Sequence, residues 1–452
     1  MALPESPTVP IPVVAIVGGA VAGSEAAAVC ARHGAIAVVF EQGTKPYGKI
    51  EDGLPRWHEK LRHQEYAKID ENLSNPRVLF VPKTSIGRDV SFETLVHDLG
   101  FSAVLLANGA WRDRPLGIPG VDAYVGKGLA YQNAFVQWFN HYHEPGYEGP
   151  GFEVHDRTIV VGGGLASVDV AKIVNLELYA RALRKRGIEV DVVQLEIDGI
   201  PETLKKYGIA QEELGIHGCT LVYRRRKQDM PLAAVSGSSP EQIAKAENAR
   251  VKIMERVERK YAVRFEGLAS PVAPIVDGDR LVGLRCLRNR VEGRGVEPVA
   301  GSEFELRGPM VISSIGSVPY PIPGVPTKGE LYDYEDFTTG RIRGVPHLFG
   351  LGNVLTGKGN IRDSRENAEE VASFVIEDFL GVADEGEPEG LIPDPALETR
   401  ESVRRILEAV IAERTVEPET ARRILDFVKA RWDAIEYPGS YRRYLESLGS
   451  RG

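Results

Sequence analysis

The stretch Val13-Val-Ala-Ile-Val-Gly18-Gly-Ala-Val-Ala-Gly23 decides the fold. Its first five residues, four of them β-branched, read as a buried strand that runs straight into a glycine turn. Strong helix formers follow from Ser24 to His33, and Ala35 to Phe40 make a second apolar strand that ends on Glu41. Strand, helix and strand in this order form a βαβ unit. Glycine at such a turn lets the backbone bend and approach a pyrophosphate, whose charge then faces the amides of the helix N-terminus. Gly18, Gly19 and Gly23 supply that turn, and Glu41 is placed to accept hydrogen bonds from ribose hydroxyls. One position departs from the pattern. Ala20 stands where a second approach glycine is expected, and its methyl group should push a pyrophosphate outward.

Working outward, the same opening recurs at Thr158 to Val161, followed by Gly162-Gly163-Gly164-Leu165-Ala166-Ser167 and a helical stretch to Asn175. Two mononucleotide-binding halves are implied. This second turn keeps its leading glycines and places a small residue, Ser167, where helix and strand must pack closely. No carboxylate ends the next strand. Thr220 to Tyr223 run instead into Arg224-Arg225-Arg226-Lys227, and arginine at that place suits a 2'-phosphate through charge-assisted, often bidentate bonds. A solvated basic loop is the alternative reading of the same four residues.

Ser102 to Ala107 reads as a further buried strand closed by Asn108-Gly109-Ala110, and the Pro145-Gly146 and Gly149-Pro150-Gly151 breaks suggest a domain crossover. Met310 to Ile315, closed by Gly316 and the proline-rich Pro319 to Pro326, reads as the exit from the second half. His347 to Gly350 makes a last short strand, and Arg365 to Leu380 has helical periodicity. Beyond an acidic linker from Asp384 to Glu389, Val403, Ile406, Leu407, Val410 and Ile411 share one helical face, and Ile424, Leu425, Val428 and Trp432 share another. The expected fold is α/β, with two Rossmann-like dinucleotide-binding domains, the second inserted in the first. The first comprises residues 1–150 and 320–382, the second residues 151–319, and residues 383–452 form a helical tail.

A chain of 452 residues holds two or three domains at roughly 150 residues each. Its net charge of -9 argues against a nucleic-acid binder, whose domains carry a basic excess. Three scattered cysteines, Cys30, Cys219 and Cys286, exclude a disulfide scaffold and any Cys-x-x-Cys redox centre, and no metal site is expected. No apolar run approaches the roughly 18 to 20 residues that span a bilayer. The first residues lack a secretory pattern, so the expected location is cytoplasmic.

Beyond these motifs the sequence resembles known flavoproteins. Leu221-Val-Tyr-Arg-Arg-Arg-Lys-Gln-Asp-Met-Pro231 is similar to the NADPH-binding segment of the glutamate synthase small subunit. Pro46-Tyr-Gly-Lys-Ile50, Gly53, His58 and Gly87-Arg-Asp-Val90 resemble adrenodoxin reductase and related ferredoxin-NADP reductases. The likeness covers about residues 12 to 380. It implies FAD on Ala22, Glu41, Lys49 and Ile86, mostly through backbone atoms, and NADPH on Gly163 to Ala166 with Arg224 and Arg225. Gly350-Leu-Gly352-Asn353 and Thr356-Gly-Lys-Gly359-Asn360-Ile361 match the segment that closes over the flavin, where a helix N-terminus would stabilise negative charge on the reduced ring. His58 matches a family histidine near the flavin.

Three departures accompany the resemblance. Asn353 stands where the glutamate synthase family has aspartate and adrenodoxin reductase has tryptophan; the cysteine-rich iron-sulfur domain is missing; and neither family requires the helical tail in this form. Hydride transfer to a flavin needs alignment rather than a strong acid or base, so the candidate catalytic residues His58 and Asp169 would orient rings or relay a proton. A surface loop histidine, and an aspartate that caps or pairs within its own helix, are the plainer alternatives. The implied activity is hydride transfer from NADPH to FAD, then electron transfer to a ferredoxin-like or other iron-sulfur protein. A flavin subunit of a larger oxidoreductase complex and a non-catalytic redox sensor are the rival expectations.

Overall fold

The opening strand β1, Val13–Val17, is buried along its whole length. Its neighbour β2, Ile36–Phe40, is buried likewise and pairs with it in parallel, Val13 opposite Ile36 through Val17 opposite Phe40. Strands buried on both faces lose alternation and read as continuous apolar runs, and this made both legible. Between them α1, Val21–Arg32, is lined with alanines, and Ala26 and Ala27 let it press closely on the sheet.

The computed structural model describes residues 10–235, 237–293, 295–382 and 415–449. Walking the chain, α2 (Glu59–Leu73), β3 (Val78–Val81) and β4 (Ala103–Leu106) follow β2. Next come β5 (Leu129–Tyr131), α3 (Gln132–His141), β6 (Ile159–Gly162), α4 (Leu165–Arg184), β7 (Thr220–Val222), α5 (Pro240–Tyr261) and β8 (Arg264–Glu266). Strands β9 (Ala269–Asp277), β10 (Arg280–Glu292), β11 (Gly295–Pro298), β12 (Phe304–Arg307) and β13 (Val311–Ser314) lead to β14 (Tyr334–Asp336), β15 (Arg341–Ile342) and β16 (Leu348–Gly350). After a single helical turn at Asn353–Thr356 come the longer helices α6 (Ile361–Phe374), α7 (Pro418–Ala434) and α8 (Tyr441–Gly449).

These elements form two compact units. Unit 1 holds residues 1–51, 60–112 and 317–452; unit 2 holds residues 52–59 and 113–316. The core of unit 1 is a seven-stranded sheet in the order β14-β15-β16-β4-β1-β2-β3, parallel from β16 to β3. That of unit 2 is a five-stranded parallel sheet, β5-β13-β6-β7-β8, beside an antiparallel sheet of β9 to β12. Each is a Rossmann-like layer of parallel strands and helices.

The boundaries differ from those read in the sequence. The chain enters unit 2 at Asp113 and not near residue 150, because β5 pairs with β13 and belongs to the second sheet. It enters once earlier as well: Asp52–Glu59, expected within the first domain, belongs to unit 2. The segment is held there by Asn140 Nδ2 donating to the Leu54 carbonyl at 3.1 Å, by His141 Nε2 at 2.9 Å from Asp52 Oδ1, and by Trp57 packed on Phe139.

Helix α4 starts at Leu165 and reaches Arg184, past the expected Asn175, with Val170, Ile173, Val174, Leu176, Tyr179 and Leu183 in the core. The helix expected over Arg365 to Leu380 begins earlier, at Ile361, because Asn360 caps it by accepting from the Asp363 amide at 2.8 Å. The face formed by Val403, Ile406, Leu407, Val410 and Ile411 lies outside the described residues. Helices α7 and α8 fold back on the body, as their amphipathic faces suggest: Ile424, Leu425, Val428, Trp432, Tyr441 and Tyr444 join the core of unit 1. Burial of each such side chain contributes roughly 1.5 to 3 kcal/mol.

Candidate functional site

At the carboxyl ends of β1, β2, β3 and β4 lies a cavity of about 440 Å³ in unit 1. Open α/β sheets place ligands there. Gly18 turns the chain with φ +101°, and a Cβ on it would press against the Ala107 carbonyl oxygen at 2.6 Å, so no other residue fits without shifting β4. Gly23 lies directly against the Gly18 carbonyl, which lets α1 begin immediately behind the turn.

Gly18, Ala20, Ala22, Glu41, Lys49, Ile86, Asn353, Gly359, Asn360 and Ile361, all singled out in the sequence, line this one cavity. Gly19, Gly23 and Gly352 do not line it but brace it. Gly19 packs under Pro46 and Phe80, while a Cβ on Gly352 would meet that of Ala22 at 2.5 Å. The methyl of Ala20 finds its space beside Gly48, where a Cβ would come within 3.0 Å of it. The departure at Ala20 is therefore matched by a glycine elsewhere.

Glu41 is 9% exposed and clasps the turn from behind. Its Oε2 accepts from the Gly19 amide at 2.9 Å and its Oε1 from the Gly43 amide at 2.8 Å. Burial pushes its carboxyl above the usual range, and these amides pull partly the other way. Beside the expected role toward ribose hydroxyls, Glu41 thus holds the turn: each oxygen already accepts from a backbone amide and keeps one lone pair for a ligand.

Tyr47, from the Pro46 to Ile50 segment, and Thr84, Asn108, Trp111 and Tyr320, which the sequence does not single out as site residues, complete the wall. Lys49 Nζ stands 5.4 Å from the Trp111 ring centroid and donates to Ser317 Oγ at 3.2 Å. Asn108 Nδ2 donates to Tyr332 Oη at 3.2 Å. The amide oxygens of Asn108 and Asn353 are buried with no hydrogen-bond partner among the described residues. Buried acceptors are almost always satisfied, so this wall asks for donors from a ligand. The turn Asn108-Gly109-Ala110 at the end of β4 was the available signal, read only as a strand closure.

Unit 2 carries the second turn. Gly162 ends β6 and Gly163 follows it, and the Tyr223 ring lies where a Gly163 side chain would be. Ser167 Oγ donates to the Gly164 carbonyl at 2.7 Å. Leu165 and Ala166 stay exposed on the first turn of α4. The parallel strand β7 brings exposed Arg224 and half-buried Arg225 beside this turn. Arg226 is withdrawn from any such role, since its Nε and Nη2 fork onto Asp229 at 2.8 and 3.0 Å and hold that carboxyl below its ordinary range.

His58 Nε2 lies 3.5 Å from Asp169 Oδ2, so the structure brings the two candidate catalytic residues together. Asp169 also faces Lys172, one turn along α4, at 3.5 Å. Both the pair with His58 and the pairing within the helix are present. Lys172 is buried, 2.7 Å from Glu196 and 4.5 Å from the Trp57 ring centroid. Burial pushes the Glu196 carboxyl up, but the Lys172 bond and charge prevail and leave it below its usual range. Among the described residues, no group of three or more His, Cys, Asp or Glu could hold a metal, and no helix is long and apolar enough to cross a membrane.

Comparison with known proteins agrees with this geometry. Residues 12–207 match the pyridine nucleotide-disulphide oxidoreductase family. NADPH-Fe(3+) oxidoreductase subunit beta of Geobacter sulfurreducens is 28% identical over 68% of this chain, which spans 37% of that relative's length. Mouse mitochondrial NADPH:adrenodoxin oxidoreductase is 26% identical over 87% of this chain and 84% of its own. NADPH-ferredoxin reductase FprA of Mycobacterium leprae is 25% identical over 76% of this chain and 78% of its own. The solved structure of Mycobacterium tuberculosis FprA in complex with NADPH shares the fold, with a TM-score of 0.63 and 22% identity over 88% of this chain and 90% of its own. In sequence the chain resembles the NADPH:adrenodoxin and NADPH-ferredoxin reductases, and it shares the fold of the latter.

Proposed function

We propose that this chain is an NADPH-dependent FAD oxidoreductase that delivers electrons to a ferredoxin-like iron-sulfur protein. The observation that carries the reading is the unit 1 cavity, with the unpartnered amide oxygens of Asn108 and Asn353 in its wall. FAD fits this wall, because its ribityl hydroxyls and ring N–H supply the donors those oxygens lack. The names of the relatives, which couple NADPH to ferredoxin, adrenodoxin or iron, support the substrate and the class of acceptor.

Bound FAD supplies a group that takes a hydride as two electrons and can give them up singly. The chain's own residues bind and orient. The Gly18 turn and the first amides of α1 hold the pyrophosphate, Glu41 keeps that turn closed, and Lys49, Asn108 and Asn353 fix the flavin half. Residues Gly359 to Ile361 lead into α6, whose N-terminal amides favour negative charge beside them. In unit 2, Gly162 to Ser167 hold the NADPH pyrophosphate, and Arg224 and Arg225 hold its 2'-phosphate. The His58–Asp169 pair positions rings and can move a proton at His58 Nε2. A cytoplasmic location is part of the same reading.

An anaerobic titration tests it. Purified protein should carry a flavin spectrum that NADPH bleaches and that a ferredoxin restores. Absence of the flavin, or no bleaching, would overturn the proposal. A second reading, a flavin subunit within a larger complex, is favoured by the match to a subunit nearly twice this chain's length, and co-purification of stoichiometric partners would establish it.

A further inference from the structure

Helices α7 and α8 lie beyond the stretch that carries the flavoprotein resemblance, yet their polar side chains reach the walls of the unit 1 cavity. Arg431 Nε and Nη2 donate to Thr84 Oγ1 at 3.3 and 3.0 Å. Thr84 lines the cavity, and its own amide donates to the Glu41 carbonyl at 2.8 Å. Tyr441 donates to Asp70 Oδ1 at 2.6 Å, and Tyr47, a cavity residue, donates to the same carboxylate at 3.2 Å. Tyr444 donates to the Thr44 carbonyl at 2.9 Å, within the turn that Glu41 holds through Gly43. Cover for apolar surface alone would need only the Ile424, Leu425, Val428 and Trp432 face. Instead two polar contacts land on the turns after β2 and β3, and a third reaches the first of these turns through Asp70 of α2, on the side where a strand-end carboxylate receives the ribose of the first nucleotide.

We propose that α7 and α8 are a holding element of the first dinucleotide site: through Arg431, Tyr441 and Tyr444 they fix the turns that receive the adenosine half of FAD. This rests on FAD occupying that cavity. Each hydrogen bond restricts a loop before the ligand arrives, so its loss lets the loop wander and adds an ordering cost to binding.

The test strips flavin from the full chain and titrates it back with FAD, following fluorescence quenching, with ADP as a second probe. Arg431→Met and Tyr441→Phe should each raise the FAD dissociation constant roughly threefold to tenfold. ADP should lose affinity in parallel. The melting temperature of the flavin-free variants should stay within about 2 °C of the parent. Lys429→Ala, on the solvent side of α7 beside Asp433, should change neither quantity. Unchanged FAD affinity in both variants, with or without a lower melting temperature, reduces the contacts to fold stability and overturns the proposal. Loss confined to FAD, with ADP unaffected, overturns the assignment to the adenosine half. Failure of the unmutated flavin-free chain to take up FAD overturns the reading of the cavity itself, and shows before any variant is made.

Discussion

At the scale of single residues, the proposed preference for NADPH rests on Arg224 and Arg225. Removing both, as Arg224→Ala with Arg225→Ala, should raise KM for NADPH about tenfold to a hundredfold, the value of one or two charge-assisted bonds, and leave NADH use nearly unchanged. Equal losses for both coenzymes, measured as kcat/KM, would assign the arginines to the fold. A second prediction concerns Ala20 and Gly48. Gly48→Ala brings two methyl groups within 3.0 Å and forces a φ of +49°, so FAD affinity should fall several-fold and stability by about 1 kcal/mol. Adding Ala20→Gly should restore the affinity but not the backbone strain; a pair with no such recovery would show that the two positions are uncoupled. Much of the site is legible at this scale because glycine turns, strand-end charges and the flavin-closing segment occur in short runs. Tyr320 escapes notice because it joins this wall only through tertiary packing, which no local spacing records, while Asn108 and Trp111 sit at a strand-end turn that reads as a mere closure.

Among the elements, the buried strands and the two glycine-led helices follow directly from continuous apolar runs. The antiparallel strands β9 to β12 do not, because their exposed, charge-rich faces and the prolines Pro271 and Pro274 blur the alternation. Helix α5 shows what a local signal is worth. Ser239 caps it by accepting from the Gln242 amide at 3.2 Å, and Ser239→Ala should cost roughly 1 kcal/mol in denaturant unfolding. A loss too small to measure would show that packing alone sets this helix. On α3, His141 sits between Asp52 and Glu144, and the Asp52 bond foremost raises its pKa against the opposing effect of burial. A raised histidine stabilises fully below its unfolded pKa of about 6.5, and that stability is lost as pH rises through the folded value. The parent should therefore exceed His141→Gln in stability at pH 6, by less than about 1 kcal/mol given solvent screening, with the gap closing by pH 9. A gap that widened with pH would contradict the pairing.

For the molecule as a whole, two parallel-sheet units with separate cores should melt separately. Calorimetry should show two transitions, one raised by FAD and the other by NADP+, each by about 2.7 kcal/mol at a hundred times the dissociation constant. A single transition shifted equally by both ligands would mean that the units unfold as one. The insertion of one unit in the other is legible from the order of the glycine turns. Its boundary is not, because prolines and glycines near residue 150 punctuate a loop that lies inside unit 2.

The octapeptide Asp52–Glu59 has a practical consequence for anyone cutting the gene. Residues 113–316 expressed from one reading frame would lack Trp57 and His58, leaving Phe139 and Lys172 bare to water where an indole now shields them. Such a fragment should precipitate. A synthetic peptide of those eight residues supplied in trans, or a spliced transcript that carries them, is the shortest route to a freestanding coenzyme-binding half.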